Sequence, residues 1–184
     1  YGAADTYMLL KDYVVYYLTG EKKSDMSIAT FSFYFDIYKK CYWTEMLDAI
    51  GVKLSQLPEL VEPCSVAGTL LPGLVSGLEP GTAVNVGTLD HFAGMIGAGN
   101  IAPGGVTLST GTVMAMTVMA DESMAHNTGI AMHYGFLPDT HIMLPVVESG
   151  GVSLEWFHRT CMGDVSYDQM NETLAQREKN ELLF

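Results

Sequence analysis

Basic residues are absent from the middle of this 184-residue sequence. The stretch 54–158 contains nine acidic residues but neither Lys nor Arg, and the whole chain has 9 basic and 21 acidic residues, a formal net charge of −12. Nucleic-acid binding requires clustered basic side chains that displace counterions from phosphates, so this composition argues against nucleic-acid partners. A P-loop is excluded from the stretch as well, because its Gly-x-x-x-x-Gly-Lys motif needs a lysine. A phosphate bound there must be held by backbone N–H groups, hydroxyls and a divalent cation.

Long apolar runs and paired cysteines are also absent. No run approaches the roughly 18 apolar residues of a membrane span, and no signal-peptide pattern opens the chain, so we expect no membrane partner. The sequence has three widely spaced cysteines and no Cys-x-x-Cys: Cys41, Cys64 and Cys161. An odd number of such cysteines favours reduced thiols in a cytoplasmic protein over a disulfide framework or a zinc site.

Hydrophobic residues make up 48% of the chain, which is ample to build a core. Their spacing predicts mixed helices and short strands, which indicates the α/β class. The expected helices are 6–18, a second from the Ser24–Ser27 turn through Phe33, 43–50, 92–99, 153–160 and 166–179, and the expected strands are 66–70, 84–86, 106–109, 113–117 and 141–147. Gly20 and Gly51 are expected to end two helices, and Ser166 with Gln169 to form a capping box. The small residues at Gly97–Asn100 are the best candidate for a domain boundary.

Asp90 is the first residue that could carry chemistry. It follows the apolar run Val84–Leu89 and directly precedes a helix of small residues. The carboxyl end of a strand facing a helix N-terminus is where α/β proteins bind ligands. A carboxylate there can accept a proton from a hydroxyl nucleophile, or hold a metal through water. The alternative, which the local pattern alone favours, is an N-cap of the following helix, and the two roles are compatible.

The second candidate is the turn Ser109–Thr112, which lies between two expected strands. Tight turns of Gly and hydroxyl residues present consecutive N–H groups to an anion, and such a nest needs no basic side chain. A turn that wraps phosphate leaves little room for a Cβ, which predicts a positive φ at Gly111. The alternative is a hairpin turn without a ligand, and in isolation the pattern favours it.

Taken in order, these pieces resemble the FGGY family of carbohydrate kinases, to which xylulokinase and glycerol kinase belong. The resemblance rests on six stretches in the family's order: Lys11–Glu21, Ser24–Ser27, 35–52, Val86–His91, Ser109–Thr112 and Gly150–Trp156. The first two are similar to the family's long helix and its Thr-Asp-x-Ser turn. Val86–His91 resembles the Gly-x-x-Asp-Gln strand end, whose Asp is the catalytic base. The last two resemble a phosphate-binding turn and the glycine-led helix beside the nucleotide.

The resemblance implies an α/β fold of two actin-like (ribonuclease H-like) ATPase domains with the active site in the cleft between them. Residues 1–98 would be the later part of the N-terminal sugar-binding domain, and residues 99–184 the early part of the C-terminal nucleotide-binding domain. The family's amino-terminal Asp-x-Gly-Thr-Thr turn and its Gly-rich adenosine-binding segment do not occur in this sequence. We therefore expect an interior fragment that is inactive alone, and that either self-associates as a homo-oligomer or is ordered only beside the rest of its parent.

The implied activity is transfer of the γ-phosphoryl group of ATP, with Mg²⁺, to a hydroxyl of a sugar or polyol. Asp90 would be the catalytic base and, through water, a ligand of the metal. Asp90 and His91 would bind the sugar. Because His91 stands where the family usually has Gln, the resemblance does not identify the sugar from any one member of the family. ATP is expected on five residues of the second domain: Thr110, Gly111, Thr112, Gly151 and Glu155. The alternatives are a non-catalytic actin-like module that binds sugar or nucleotide, and a structural fragment.

Overall fold

The computed structural model describes residues 3–74, 77–121 and 129–178. Contacts between residues divide the chain into two compact units. Unit 1 comprises the residues up to 108 together with 116–145, and unit 2 comprises residues 109–115 together with those from 146 onward. The proposed domain division after residue 98 is a different partition of the chain, and it stays a prediction.

Helices and short strands are mixed along the chain, as the α/β prediction requires. The helices are α1 (Leu10–Thr19), α2 (Met26–Ala29), α3 (Thr44–Ile50), α4 (Asp90–Gly97), α5 (Gly151–Phe157) and α6 (Tyr167–Ala175), with 3₁₀ turns at Thr30–Ser32 and Leu54–Gln56 and a π-helical segment at His158–Met162. The strands are β1 (Lys23–Asp25), β2 (Phe35–Asp36), β3 (Cys41–Tyr42), β4 (Glu59–Val61), β5 (Val66–Thr69), β6 (Ala83–Asn85), β7 (Val106–Thr110), β8 (Met114–Asp121), β9 (Met132–Tyr134), β10 (Thr140–Met143) and β11 (Val146–Val147). In the part of the chain that the structure describes, every helix is too short or too polar to cross a bilayer.

Helix ends follow the local signals in the sequence. Gly20 and Gly51 end α1 and α3 with φ of 77° and 73°, so both predicted stops are confirmed. Ser166 caps α6 in a capping box with Gln169, also as predicted. The helix expected over 6–18 begins only at Leu10, and the expected end of α6 at residue 179 lies outside the described residues.

Unit 1 contains two small strand pairs that lead to the candidate site. β1 runs parallel to β4, and β5 pairs antiparallel with β6. Val15 of α1 packs with Ala67 and Val86 in a buried cluster, so α1 covers this strand pair. The segment that follows β6 therefore leaves a packed core and leads directly into α4.

A second core of unit 1 fixes α4. Phe92 and Met95 of α4 are buried against Met119 of β8 and Ile142 of β10, with Phe136 beside them. β10 pairs antiparallel with both β8 and β9. Because Phe92 is fully buried, the axial rotation of α4 is determined by packing and not by the residues at its exposed end.

The strand expected over 141–147 is interrupted and forms β10 and β11. Leu144 and Pro145 separate them, and Pro has no N–H to donate to a strand ladder. The Pro145 carbonyl still accepts a hydrogen bond from the Met116 N–H at 3.1 Å. β11 then pairs with Ala115 and Met114 of β8 within unit 2.

Candidate active site

Asp90 is the first residue of α4, which begins two residues earlier than the sequence predicted. Its side chain is exposed, and one carboxylate oxygen accepts the N–H of His91 at 2.6 Å. Leu89 occupies the N-cap position and makes no side-chain cap bond, so the N-cap interpretation of Asp90 is wrong. The first turn of a helix is a favourable place for a negative charge because the N–H dipoles point toward it. Asp90 is thus an exposed carboxylate at the end of a packed strand segment.

His91, the expected partner of Asp90 in sugar binding, follows it on α4 and is half-buried. Successive residues of an α-helix are rotated by about 100°, so the two side chains leave the helix in different directions. The structure therefore keeps the pair adjacent in the chain but on different faces of α4.

The Lys11 side chain contacts residues 86–89, the segment between β6 and Asp90, at the Val86 carbonyl. Its ammonium is 2.7 Å from Asp25 Oδ2 and 3.0 Å from Asp12 Oδ1, and it donates to the Val86 carbonyl at 2.9 Å. Both carboxylates are buried, with 1% or less of either side chain exposed. Two buried carboxylates and one backbone carbonyl thus surround the Lys11 ammonium, which makes Lys11 a structural cation.

Asp25 connects this ion pair to the residues before Asp90. Its Oδ1 accepts the backbone N–H groups of Ser27 at 2.9 Å and of Ile28 at 3.2 Å, and it also accepts the Ser27 hydroxyl. The Ser27 Oγ lies 2.7 Å from the Thr88 hydroxyl and accepts the Leu89 N–H at 3.2 Å. The sequence analysis missed this network. The signals in the sequence are the charged pair Lys11-Asp12 within an apolar segment and Asp25-Met26-Ser27 within a polar turn, but no local pattern shows which strand end they meet.

An aromatic cluster supports α4 from its buried side. The His133 ring stacks on Phe31 at 4.3 Å and meets the fully buried Phe92 edge-on at 6.5 Å. Burial lowers the pKa of His133. Its Nδ1 is buried and has no hydrogen-bond partner among the described residues, which fits a neutral ring.

The turn Ser109–Thr112 is bonded to the start of α5 in unit 2. The Gly111 carbonyl accepts the Gly151 N–H at 2.7 Å, and the Thr112 carbonyl accepts the Val152 N–H at 3.4 Å. The structure thus brings together the expected ATP-binding residues of the turn and Gly151. Glu155 lies one helical turn further along α5 and is exposed.

Gly111 does not have the backbone conformation that the sequence analysis predicted. Its φ is not positive, and a Cβ built there would have the Val113 carbonyl oxygen as its nearest neighbour, at 3.8 Å. At the start of α5, by contrast, Gly150 and Gly151 have no room for a Cβ, which would lie 2.9 Å from the Met114 nitrogen and 2.6 Å from the Gly111 oxygen, respectively. The backbone of α5 therefore approaches the turn closely at Gly151, whose N–H donates to the Gly111 carbonyl, and a glycine is needed there and not at position 111.

The predicted anion-binding nest also requires the Gly111 N–H to be free, and in the structure it is not. This N–H donates to the Val113 carbonyl at 2.9 Å, so it closes the turn instead of pointing to an anion. Binding of a phosphate by this N–H would require that bond to open. Thr110 and Thr112 are exposed, so their hydroxyls are accessible to a ligand.

A magnesium ion would find few protein ligands in the described residues. No cluster of three or more His, Cys, Asp or Glu side chains is formed by residues 3–74, 77–121 and 129–178. Mg²⁺ usually keeps several waters and is bound by one or two carboxylates together with substrate phosphates. The exposed carboxylate of Asp90 fits that pattern as a single ligand through water.

Comparison with known proteins agrees with the resemblance seen in the sequence. Residues 1–97 match the family model described as "FGGY family of carbohydrate kinases, N-terminal domain". The chain is 29% identical to the xylulose kinase of Bacillus subtilis (strain 168) over 167 residues, which is 89% of this chain and 34% of that protein. It is 30% identical to the xylulose kinase of Escherichia coli (strain K12) over 159 residues, 83% of this chain and 32% of that protein. The chain thus spans about a third of the length of these curated relatives.

Solved structures share the fold of the chain. A xyloylose kinase from Brucella ovis superposes with a TM-score of 0.84 at 26% identity, over 95% of this chain and 36% of that one. Plasmodium falciparum glycerol kinase with ADP gives a TM-score of 0.82 at 16% identity, over 92% of this chain and 35% of that one. The second likeness, at such low identity, concerns the fold alone. The predicted α/β, actin-like (ribonuclease H-like) ATPase fold is confirmed.

Proposed function

Because the chain belongs to the FGGY family of carbohydrate kinases, we propose that the whole protein transfers the γ-phosphoryl group of ATP to a hydroxyl of a sugar or polyol. The observation that carries this proposal is Asp90, an exposed carboxylate on the first residue of α4 at the end of a strand segment fastened by buried side chains. A protein that only binds sugar has no need of a base at this position. The 184-residue chain alone is proposed to be inactive, since the family's first phosphate-binding turn does not occur in its sequence.

Asp90 acts as the general base in this proposal. An acceptor hydroxyl placed within hydrogen-bond distance loses its proton to the carboxylate as its oxygen attacks the γ-phosphorus. The bond between the γ-phosphorus and the bridging oxygen of ADP breaks, and ADP leaves with the electron pair of that bond. Asp90, through water, would hold a Mg²⁺ ion together with the phosphates of the nucleotide, and the ion would neutralise charge on the phosphoryl oxygens. Phosphoryl transfer depends mainly on positioning and electrostatic stabilisation, so a single carboxylate is a sufficient protein base.

Nucleotide phosphates are assigned to the turn in unit 2. The hydroxyls of Thr110 and Thr112 are exposed there, and Gly151 holds the turn against α5, with Glu155 one helical turn further on. Since the stretch 54–158 has no Lys or Arg, the two hydroxyls and the metal would carry the binding, and the Gly111 N–H would join them if its bond to the Val113 carbonyl opened. We assign sugar binding to a domain over residues 1–98 and nucleotide binding to one over 99–184, which the family match over 1–97 supports.

The sugar is proposed to be xylulose-like. Several relatives are named xylulose kinases, and glycerol and gluconate kinases share the fold. His91 stands where the family resemblance predicts Gln, so we expect the contacts of this residue with the sugar to differ from those of a glutamine. We place the protein in the cytoplasm, because its three cysteines are free and exposed and would stay reduced there.

The deciding experiment measures ADP release by the whole protein with Mg-ATP and a panel of ketoses, aldoses, polyols and aldonates. A kinase gives sugar-dependent ADP release and a phosphorylated sugar that mass spectrometry detects. Sugar and nucleotide binding by calorimetry, without ADP release on any member of the panel, would contradict the proposal and favour the non-catalytic module.

A further inference from the structure

We propose that Thr88 and Ser27 are positioning residues for Asp90, anchored by the buried Asp25–Lys11 pair. The inference rests on the proposed function, since it concerns the residue assigned as the base. It assigns a role in proton abstraction to a polar network that touches neither the expected sugar ligands nor the expected ATP ligands.

The chain needs such a device because strand pairing stops before Asp90. β6 ends at Asn85. After it, the Val86 N–H still donates a hydrogen bond to the Ser65 carbonyl at 2.8 Å, and the Gly87 carbonyl accepts one from the Cys64 N–H at 2.8 Å. The two residues between Gly87 and Asp90 lie in no strand. Their polar groups turn instead to the fully buried Ser27 of the neighbouring turn.

Hydrogen-bond directions in this network follow from the chemistry of its members. An ionised Asp25, paired with Lys11, can only accept, so the Ser27 hydroxyl must donate its single proton to Asp25. The Ser27 oxygen then accepts from the Leu89 N–H and from the Thr88 hydroxyl. Two donors from the residues directly before Asp90 thus converge on one oxygen that no solvent reaches.

This convergence fixes the start of α4. Leu89 is its N-cap residue, and the side chain of Leu89 packs on the core that holds Phe92. Core packing sets the rotation of the helix, and Ser27 sets the position of its first peptide groups. A general base must lie within about 3 Å of the proton that it abstracts, and a misplacement of about 1 Å costs about 10²-fold in rate.

The test compares Thr88→Val with Thr88→Ser in the whole kinase. Val keeps the branched shape but removes the hydroxyl, whereas Ser keeps the hydroxyl. We expect Thr88→Val to lower kcat by about 10-fold or more with KM for sugar and for ATP within about 3-fold, and Thr88→Ser to restore most of the rate. Thr82→Val is the matched control, because among the described residues the Thr82 hydroxyl bonds only the Glu79 carbonyl, in an exposed turn of the same unit. A rise in KM at unchanged kcat would overturn the inference, because Thr88 would then bind substrate directly.

A double-variant cycle with Asp90→Asn separates positioning from a general loss of structure. If Thr88 acts through Asp90, Thr88→Val has little further effect on kcat in the Asp90→Asn background, and the two losses are far from additive. Full additivity, with Asp90→Asn itself strongly impaired, overturns the positioning role and leaves the proposed function standing. Wild-type kcat in Asp90→Asn overturns both. Ser27→Ala is the second variant, with thermal denaturation to show that it folds.

Discussion

In unit 1 the candidate base follows a strand segment that buried side chains fasten, whereas in unit 2 the candidate phosphate turn is fastened by backbone atoms. Lys11, Asp25 and Ser27 do this work in unit 1, and the Gly151 N–H and Gly111 carbonyl do it in unit 2. Among the described residues of unit 2, only Ala115 and Met170 are buried. The two kinds of support predict two kinds of vulnerability. A side-chain network fails when a partner is removed, and a backbone contact fails when a Cβ is added.

The largest expected effect on stability comes from Lys11→Met. The change leaves Asp12 and Asp25 buried without their cation, and breaking a buried ion pair on one side costs about 3–5 kcal/mol. Hydrogen–deuterium exchange of the whole protein should show faster exchange in α1 and in residues 24–28. Lys22→Met is the matched control, because the Lys22–Asp5 pair is exposed and solvent screens its attraction, so its loss should have little effect. Equal exchange in the two variants would show that the buried network does not stabilise unit 1.

The next effect concerns the base itself. Asp90→Asn should lower turnover by about 10² or more while the melting temperature stays near that of the unmodified protein, because only the proton acceptor is lost. Asp168→Asn is the matched control, since Asp168 is also an exposed carboxylate in the first turn of a helix but lies in no candidate site. A similar loss of turnover in both variants would point to helix stability and not to catalysis.

Gly151→Ala tests the backbone contact in unit 2. The new Cβ would lie 2.6 Å from the Gly111 oxygen, and relief of that overlap should cost about 1–3 kcal/mol and weaken nucleotide binding more than sugar binding. Gly111→Ala should change stability by only about 0.5 kcal/mol, because its Cβ has room. Thermal denaturation and calorimetry with both ligands check this. A greater loss of stability at Gly111 would reverse the assignment.

The smallest effect is a dependence of unit 1 stability on pH. Burial lowers the pKa of His133 below its ordinary value of 6.5, so the unfolded chain binds a proton more readily than the folded one. Stability should therefore fall as the pH decreases below about 6.5, until the folded-state pKa is passed. His133→Phe keeps a ring against Phe31 and should flatten this part of the curve of melting temperature against pH. An unchanged slope in the variant would assign the dependence to other groups.

Features that depend on neighbouring residues in the chain could be predicted from the sequence. Gly20, Gly51 and the Ser166–Gln169 box mark helix ends because caps depend only on residues within one turn. Asp90 could be singled out for the same reason, as a carboxylate between an apolar strand and a helix of small residues. These features can be recognised without knowledge of tertiary contacts.

Other features depend on contacts between distant parts of the chain. Lys11 and the Val86 carbonyl are 75 residues apart, and Ser27 and Thr88 are 61 apart, so no short pattern predicts that they meet. The turn motif alone predicts a steric constraint at Gly111, whereas in the structure the constraint lies at Gly151, because α5 packs against the turn there. The break at Pro145 could have been predicted, since a proline inside an expected strand argues against that strand.

Contact between Gly151 and the Gly111 carbonyl has a consequence for the sequences that this protein can tolerate. Every amino acid other than glycine adds a Cβ, so at position 151 each of the nineteen other residue types overlaps the Gly111 carbonyl oxygen and destabilises unit 2, whatever the ligand. At position 111 the backbone accepts a side chain, and any restriction there must come from the ligand. In a saturation library selected for folding, few residue types should therefore be recovered at position 151 and many at position 111. When the same library is selected for growth on the sugar, fewer residue types should be recovered at position 111 only if the turn binds nucleotide.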